Sequence, residues 1–159
     1  MLDIARLPAL GALLRAFMRF SLNGDRSAWD RAAQLPHYNA RAMPAVSFHQ
    51  GLHFVQLWSS GRFRLYDYGS RAANLAHYGH PHPPDIASEY WRLDMPVDIC
   101  AGVHDGIIPP SNVQRHVSAM RGAGVDVTYR EFEYGHLDFT FNTRDELRYY
   151  VTSRLMKKT

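Results

Sequence analysis

The stretch EFEYGHLDF, residues 131–139, sets His136 in a turn softened by Gly135, directly after a run that reads as a β-strand. Asp105 closes a second such run, MPVDICAGVHD. In an open α/β sheet the loops at the carboxyl ends of neighbouring parallel strands lie side by side, and chemistry collects there. An aspartate hydrogen-bonded to one imidazole nitrogen fixes the tautomer and stabilises the imidazolium. The other nitrogen is then free to take a proton from a nucleophile. Asp105 and His136 would supply two thirds of a hydrolytic triad, acid first. An aspartate after a strand is also a common cap for the next helix, and spacing alone does not separate the two roles. Asp138 is an alternative partner for His136, although a turn aspartate more naturally binds local backbone. His104 reads as a partly buried neighbour of Asp105. His77, His80 and His82 in HYGHPH invite a metal, but no acid or cysteine ligand accompanies them at a ligating spacing. Neither a metal nor another cofactor is implied.

The elements that must position these residues are clearest in the second half. MPVDICAGVHD is a continuous apolar run, expected as a strand buried on both faces. PPSNVQRHVSAMRGAG follows as a helix, with Ser111 or Asn112 as its N-cap, Val113, Val117 and Met120 on one face, and Gly122 or Gly124 as its stop. VDVTYREFEY predicts a second strand, and DELRYYVTSRLMKK a closing helix that starts acidic and ends basic, as the helix dipole favours. Strand, helix, strand, helix implies parallel pairing through a crossover.

The first half is less regular. Leu7, Leu10, Leu14, Phe17 and Met18 recur at helical spacing, which predicts an amphipathic helix packed against the body of the protein. Residues 24–46 read as an irregular connection with a short helical piece. Phe48, Leu52, Val55 and Trp58 share a face and predict a helix from Ser47 to about Gly61. FRLYDYGSRAANLAHYGHPHPPDI is rich in turn formers and prolines and is expected to be an anchored loop region. Tyr66, Tyr68 and Tyr78 read as packing aromatics with hydrogen-bonded hydroxyls.

Composition limits the function classes. The chain has 159 residues, 46% hydrophobic and 21% charged, with a net charge of +3. That size suits one domain able to bury roughly 70% of its unfolded surface. The arginines are spread along the chain with no dense basic stripe, which argues against nucleic-acid binding. The stretch LPALGALLRAFMRF is too short and too interrupted by Arg15 and Arg19 for a membrane span, and it lacks the marks of a signal peptide. The single cysteine, Cys100, reads as a small buried hydrophobe and says little about compartment.

Three ordered blocks carry a family resemblance. The first is GRFRLYDYGSRAANLAHYGHPHPPDI, in which Tyr66, Asp67, Tyr68 and Gly69 are followed by Asn74 and the pair His77–Tyr78. The second is the Gly-x-x-Asp turn from Gly102 to Asp105, and the third is the Tyr134–Phe139 turn around His136. Together they resemble the C-terminal part of the acid lipases, the α/β-hydrolase family of gastric and lysosomal lipases. The likeness runs over residues 36–155, with SFHQGLHFVQLWSSG resembling the segment that leads out of the family's cap. It implies an α/β fold: the last two parallel strands of an α/β-hydrolase with flanking helices, preceded by a helical cap-like segment. Residues 1–60 would be the cap-like part and 61–159 the α/β portion carrying the Asp and His loops.

The resemblance further implies a lipid ester as substrate, Asp105 and His136 as the catalytic acid and histidine, and no cofactor. The family's serine lies in a Gly-x-Ser-x-Gly elbow, and no such pentapeptide occurs here. Neither Ser70 nor the pair Ser59–Ser60 fits that tight strand-to-helix turn. The serine and the oxyanion donors would come from a missing N-terminal half or from a second chain, and this chain alone is expected to be nearly inactive. The competing reading is an inactive lipid-binding or interaction module derived from a lipase.

Overall fold

The computed structural model describes residues 8–27, 47–141 and 144–156. In chain order these form α1 (Pro8–Ser21), α2 (Phe48–Ser60), α3 (Arg71–Tyr78), a 3-10 helix (Ile86–Arg92), β1 (Val97–Gly102), α4 (Pro110–Gly122), β2 (Val127–Phe132), α5 (Asp138–Phe141) and α6 (Glu146–Met156). Most of the expected connection at 24–46, the start of the N-terminal stripe at Leu7 and the basic end at Lys157 and Lys158 lie outside the described residues.

The chain divides into two compact units. One comprises Met1–Arg41, Asp98–Arg115 and Thr128–Thr159; the other comprises Ala42–Val97 and His116–Val127. The first contains nearly all of the sheet. β1 and β2 are its two strands. Their ladder is parallel: Val97 N–H donates to Asp126 O at one end (2.9 Å), and Val103 N–H to Phe132 O at the other (2.9 Å). Among the described residues of this unit, Ala101, Phe132 and Tyr134 are the buried apolar ones. Arg154 of α6 reaches back to the sheet, its Nε donating to Asp98 Oδ2 at 3.0 Å and its Nη2 to Thr128 Oγ1 at 3.3 Å. Tyr150 OH donates to Asp98 Oδ1 at 2.6 Å. Arg130 lies over the rings of both Phe132 and Tyr150, 5.1 and 4.8 Å from their centres.

The second unit is held by a polar staple under its aromatic residues. Gln56 of α2 brackets the backbone of Asp67, its Nε2 donating to the Asp67 carbonyl and its Oε1 accepting the Asp67 N–H, both at 2.8 Å. Asp67 Oδ1 accepts from Gly69 N–H at 2.9 Å and from Asn74 Nδ2 at 3.0 Å. Asn74 Oδ1 accepts the Tyr68 N–H at 3.0 Å, and Tyr78 OH donates to the Tyr66 carbonyl at 2.8 Å. The Asp, the Gly and the Asn of the tyrosine-rich motif thus form one hydrogen-bonded turn. Asn74 is buried in it. Arg64 and Asp85 pair as an antiparallel bridge that ties the two ends of this region together.

Several expectations need correction. The region 63–86 is expected to be an anchored loop without regular structure, yet residues 71–78 form a helix. Ser70 caps it by accepting the Ala73 N–H, and Gly79 ends it in the left-handed conformation at φ 68°. The helix-forming run RAANLA between two good caps outweighs the surrounding prolines. α4 begins at Pro110, with the Pro109 carbonyl accepting from Asn112 and Val113, so Ser111 and Asn112 lie inside the first turn and neither is the cap. β1 is not buried on both faces, because a sheet of two strands leaves Asp98 exposed and Ile99 and Cys100 half-buried. Burial pushes the Cys100 thiol up, with the Asp98 charge adding to it. α2 has the expected bounds, from its Ser47 cap to Gly61 at φ 61°. Its apolar stripe nevertheless faces solvent, with Phe48 78% and Trp58 87% exposed. On α1, Phe17 was expected against the body and is instead exposed, together with Leu13 and Phe20. No helix among the described residues is long and apolar enough to cross a membrane.

Candidate active site

Asp105 lies three residues past the end of β1, in a turn closed by its own N–H donating to Gly102 O at 3.1 Å. Its Oδ1 accepts the N–H groups of Ile107 (2.9 Å) and Ile108 (2.7 Å). The carboxylate is thereby aimed with its second oxygen free for another donor. His136 lies four residues past β2, in the turn that Tyr134 anchors. Tyr134 is fully buried, and its carbonyl accepts the His104 N–H at 3.0 Å. Its ring packs on Phe132 and Phe139, 5.3 and 5.6 Å away between centres. Because both loops leave parallel strands at the same edge, the two side chains meet.

His136 Nδ1–H donates to Asp105 Oδ2 at 3.0 Å, with the Asp105 side chain only 6% exposed and that of His136 33% exposed. Nε2 has no hydrogen-bond partner among the described residues. A buried carboxylate on Nδ1 fixes the tautomer that leaves Nε2 basic, and the half-exposed ring can present it to a substrate. Asp138 does not compete. Its Oδ2 accepts the Gly135 N–H at 2.8 Å, a local backbone bond of the expected kind. His104 turns to Glu133, with Nε2 2.8 Å from Oε2. His77 stacks on Tyr68, ring centres 3.7 Å apart, while His80 Nδ1 lies 3.2 Å from the His82 carbonyl. Among the described residues, no group of three or more histidine, cysteine or acidic side chains could hold a metal.

Sequence reasoning missed Asp25. It is buried against both site loops, with Oδ2 accepting the N–H of His136 at 2.6 Å and that of Gly106 at 3.3 Å. Its only signal in the sequence is local, the turn-forming SLNGD. In it, Asn23 and Gly24 take positive φ, and Gly24 N–H closes onto Arg19 O at 2.7 Å. Nothing nearby in sequence announces partners 81 and 111 residues away.

A parallel strand pair joined by a helix, with an aspartate after one strand hydrogen-bonded to a histidine after the other, is an arrangement of the α/β-hydrolase class. No family model matches the chain. Individual relatives do. Mouse lipase member N is 31% identical over 119 residues, covering 74% of this chain and 28% of that protein. Fruit-fly lipase 3 is 31% identical over 124 residues, 78% of this chain and 30% of its own length. Bovine gastric triacylglycerol lipase is 26% identical over 121 residues, 76% and 29% respectively. The chain belongs to the acid-lipase family over this partial region. It spans less than a third of the length of the curated relatives it matches.

Proposed function

We propose that this chain is the histidine-bearing C-terminal portion of a serine-type lipase, and that the complete catalytic assembly hydrolyses carboxylic esters of lipids. The reading is carried by the 3.0 Å contact between His136 Nδ1 and the buried carboxylate of Asp105. Nε2 would take the proton of a serine hydroxyl as it attacks the ester carbonyl and would return it to the leaving alcohol. Asp105 would hold the ring and stabilise its charged form. The serine and the oxyanion donors come from outside this chain, from a missing N-terminal half or a second polypeptide. We read residues 1–60 as the cap-like portion and 61–159 as the α/β portion.

The test is labelling of the purified chain by a fluorophosphonate probe, alone and after mixing with a serine-bearing half, alongside a short-chain ester assay. Activity that appears only in the mixture and is lost in His136→Ala and in Asp105→Asn supports the proposal. Labelling of the isolated chain that depends on His136 would show an internal nucleophile and refute the split. The second reading, an inactive lipid-binding module, is favoured by the apolar residues that α1 and α2 hold in solvent, Phe20 at 87% and Trp58 at 87% exposure among them. Vesicle binding unaffected by His136→Ala, with no activity in any mixture, would decide for it.

A further inference from the structure

The two site loops are stitched together by a third segment, residues 23–27, at the end of α1. Asn23 Nδ2 donates to Gly106 O at 3.0 Å, and Arg26 N–H to His104 O at 3.3 Å, so both flanks of Asp105 are tied to it. On the histidine side, Asp25 Oδ2 accepts the His136 N–H at 2.6 Å, and Ser27 Oγ accepts the Leu137 N–H at 2.8 Å. Asp25 Oδ2 also accepts from Gly106, so one carboxylate oxygen bridges the acid loop and the histidine loop. Its Oδ1 is held in turn by the Ser27 N–H at 2.9 Å and by the Ser27 hydroxyl. Asp25 is 5% exposed.

The fit is close enough to demand glycine on both loops. A Cβ on Gly106 would meet the carbonyl oxygens of Leu22 and Asn23, and one on Gly135 would meet Ser27. Burial alone would raise the Asp25 carboxyl. The N–H of His136, the Ser27 hydroxyl and N–H, and Gly106 outweigh it and hold the group below its ordinary value, as suits an acceptor of several N–H donors.

We propose that Asp25 is a positioning residue, which with Ser27 clamps the backbones of the two loops so that Asp105 and His136 stay within hydrogen-bond reach. This inference rests on the hydrolase reading of that pair. The other bonds between these loops, His104 N–H to Tyr134 O and His104 to Glu133, lie nearer the strand ends, so beyond them the loops could slide by the ångström or so that disrupts a catalytic hydrogen bond. The clamp removes that freedom without touching the substrate.

The test is nuclear magnetic resonance on the full chain, reading the His136 Nδ1 proton, which Asp105→Asn identifies by abolishing it, and the exchange rates of backbone amides. In Asp25→Ala the His136 and Gly106 amides should exchange about tenfold faster or more, and the Nδ1 proton signal should broaden or vanish, while amides of β1 and β2 keep their native rates. Asp25→Asn, which keeps one acceptor oxygen, should restore part of the Nδ1 signal. Ser27→Ala, the milder variant should Asp25→Ala fail to fold, should loosen Leu137 first. Native Nδ1 and His136 signals in a folded Asp25→Ala protein would overturn the clamp and leave the hydrolase reading standing. A native chain with a protected His136 amide but no Nδ1 signal would instead count against the hydrolase pair, and the clamp would be judged by amide exchange alone.

Discussion

Replacing Asn74 by alanine should unlock the staple that shapes the tyrosine-rich turn, and the size of the loss can be worked from its bonds. Asn74 Oδ1 satisfies the Tyr68 N–H, and Asn74 Nδ2 donates to the Asp67 carboxylate, each at 3.0 Å. A neutral hydrogen bond contributes about 1 kcal/mol net and one to a charged acceptor about 1.5–3 kcal/mol. The freed side-chain entropy of a buried asparagine offsets roughly 1 kcal/mol of this. Asp67 keeps the Gly69 N–H, so the turn is weakened rather than abolished. The expected destabilisation is therefore about 1.5–3 kcal/mol, which for a chain of this length lowers the melting temperature by about 3–12 °C. Urea unfolding followed by far-ultraviolet circular dichroism measures it, since Trp58 and Trp91 of the same unit are already exposed in the folded state. Asn74→Asp, which sets a second carboxylate against Asp67, should be worse than alanine at neutral pH. A loss below about 1 kcal/mol in Asn74→Ala, or an Asn74→Asp protein as stable as the native one, would refute the staple as a major contributor.

Gly102→Ala should cost about 2–3 kcal/mol, because its Cβ would press on the Tyr134 backbone and lie 3.1 Å from the Phe139 ring; thermal unfolding checks it, and a neutral result would mean that the loop yields freely. Acid should destabilise the protein through Asp67, held below its ordinary value by its bonds to Asn74 and then Gly69, and through Asp25. Both carboxyls are depressed on folding, so their contribution is complete above the unfolded value of 3.8 and is lost as pH falls through the folded values. Urea midpoints measured between neutral and acid pH should fall in that window, and less so in Asn74→Ala. Arg154→Ala should lose about 1 kcal/mol, since its partner Asp98 is partly exposed and keeps Tyr150 OH; an unchanged urea midpoint would show that α6 docks by other means.

Legibility in the sequence followed the range of the interactions. β1, α4, β2 and α6 announced themselves because apolar runs, periodicity and helix-end residues are local signals. α2 was legible to its caps at Ser47 and Gly61 for the same reason. The helix at 71–78 was hidden by the prolines that follow it, although its Ser70 and Gly79 caps were in plain view. Asp105 and His136 were legible as a pair because strand ends define where loops converge. Asp67 and Asn74 were legible only as a motif, and the structure gives them a mechanical role, two ends of one turn. What periodicity cannot say is whether an apolar face finds a cover. The stripe of α2 is a correct helix with an uncovered side. Asp25 was beyond reach, since its partners belong to loops that form only once the sheet exists.

The separation of the Asp25 contacts also orders assembly in time. The Asp105–His136 contact closes a span of 31 residues, whereas the Asp25–His136 contact closes one of 111. Chain-closure entropy makes the longer span costlier by about 1 kcal/mol. The strand–helix–strand unit should therefore collapse first and bring acid and histidine near each other, and residues 23–27 should dock late. The ordering of the two loops is thus tied to the return of a segment 81 residues before the one and 111 before the other.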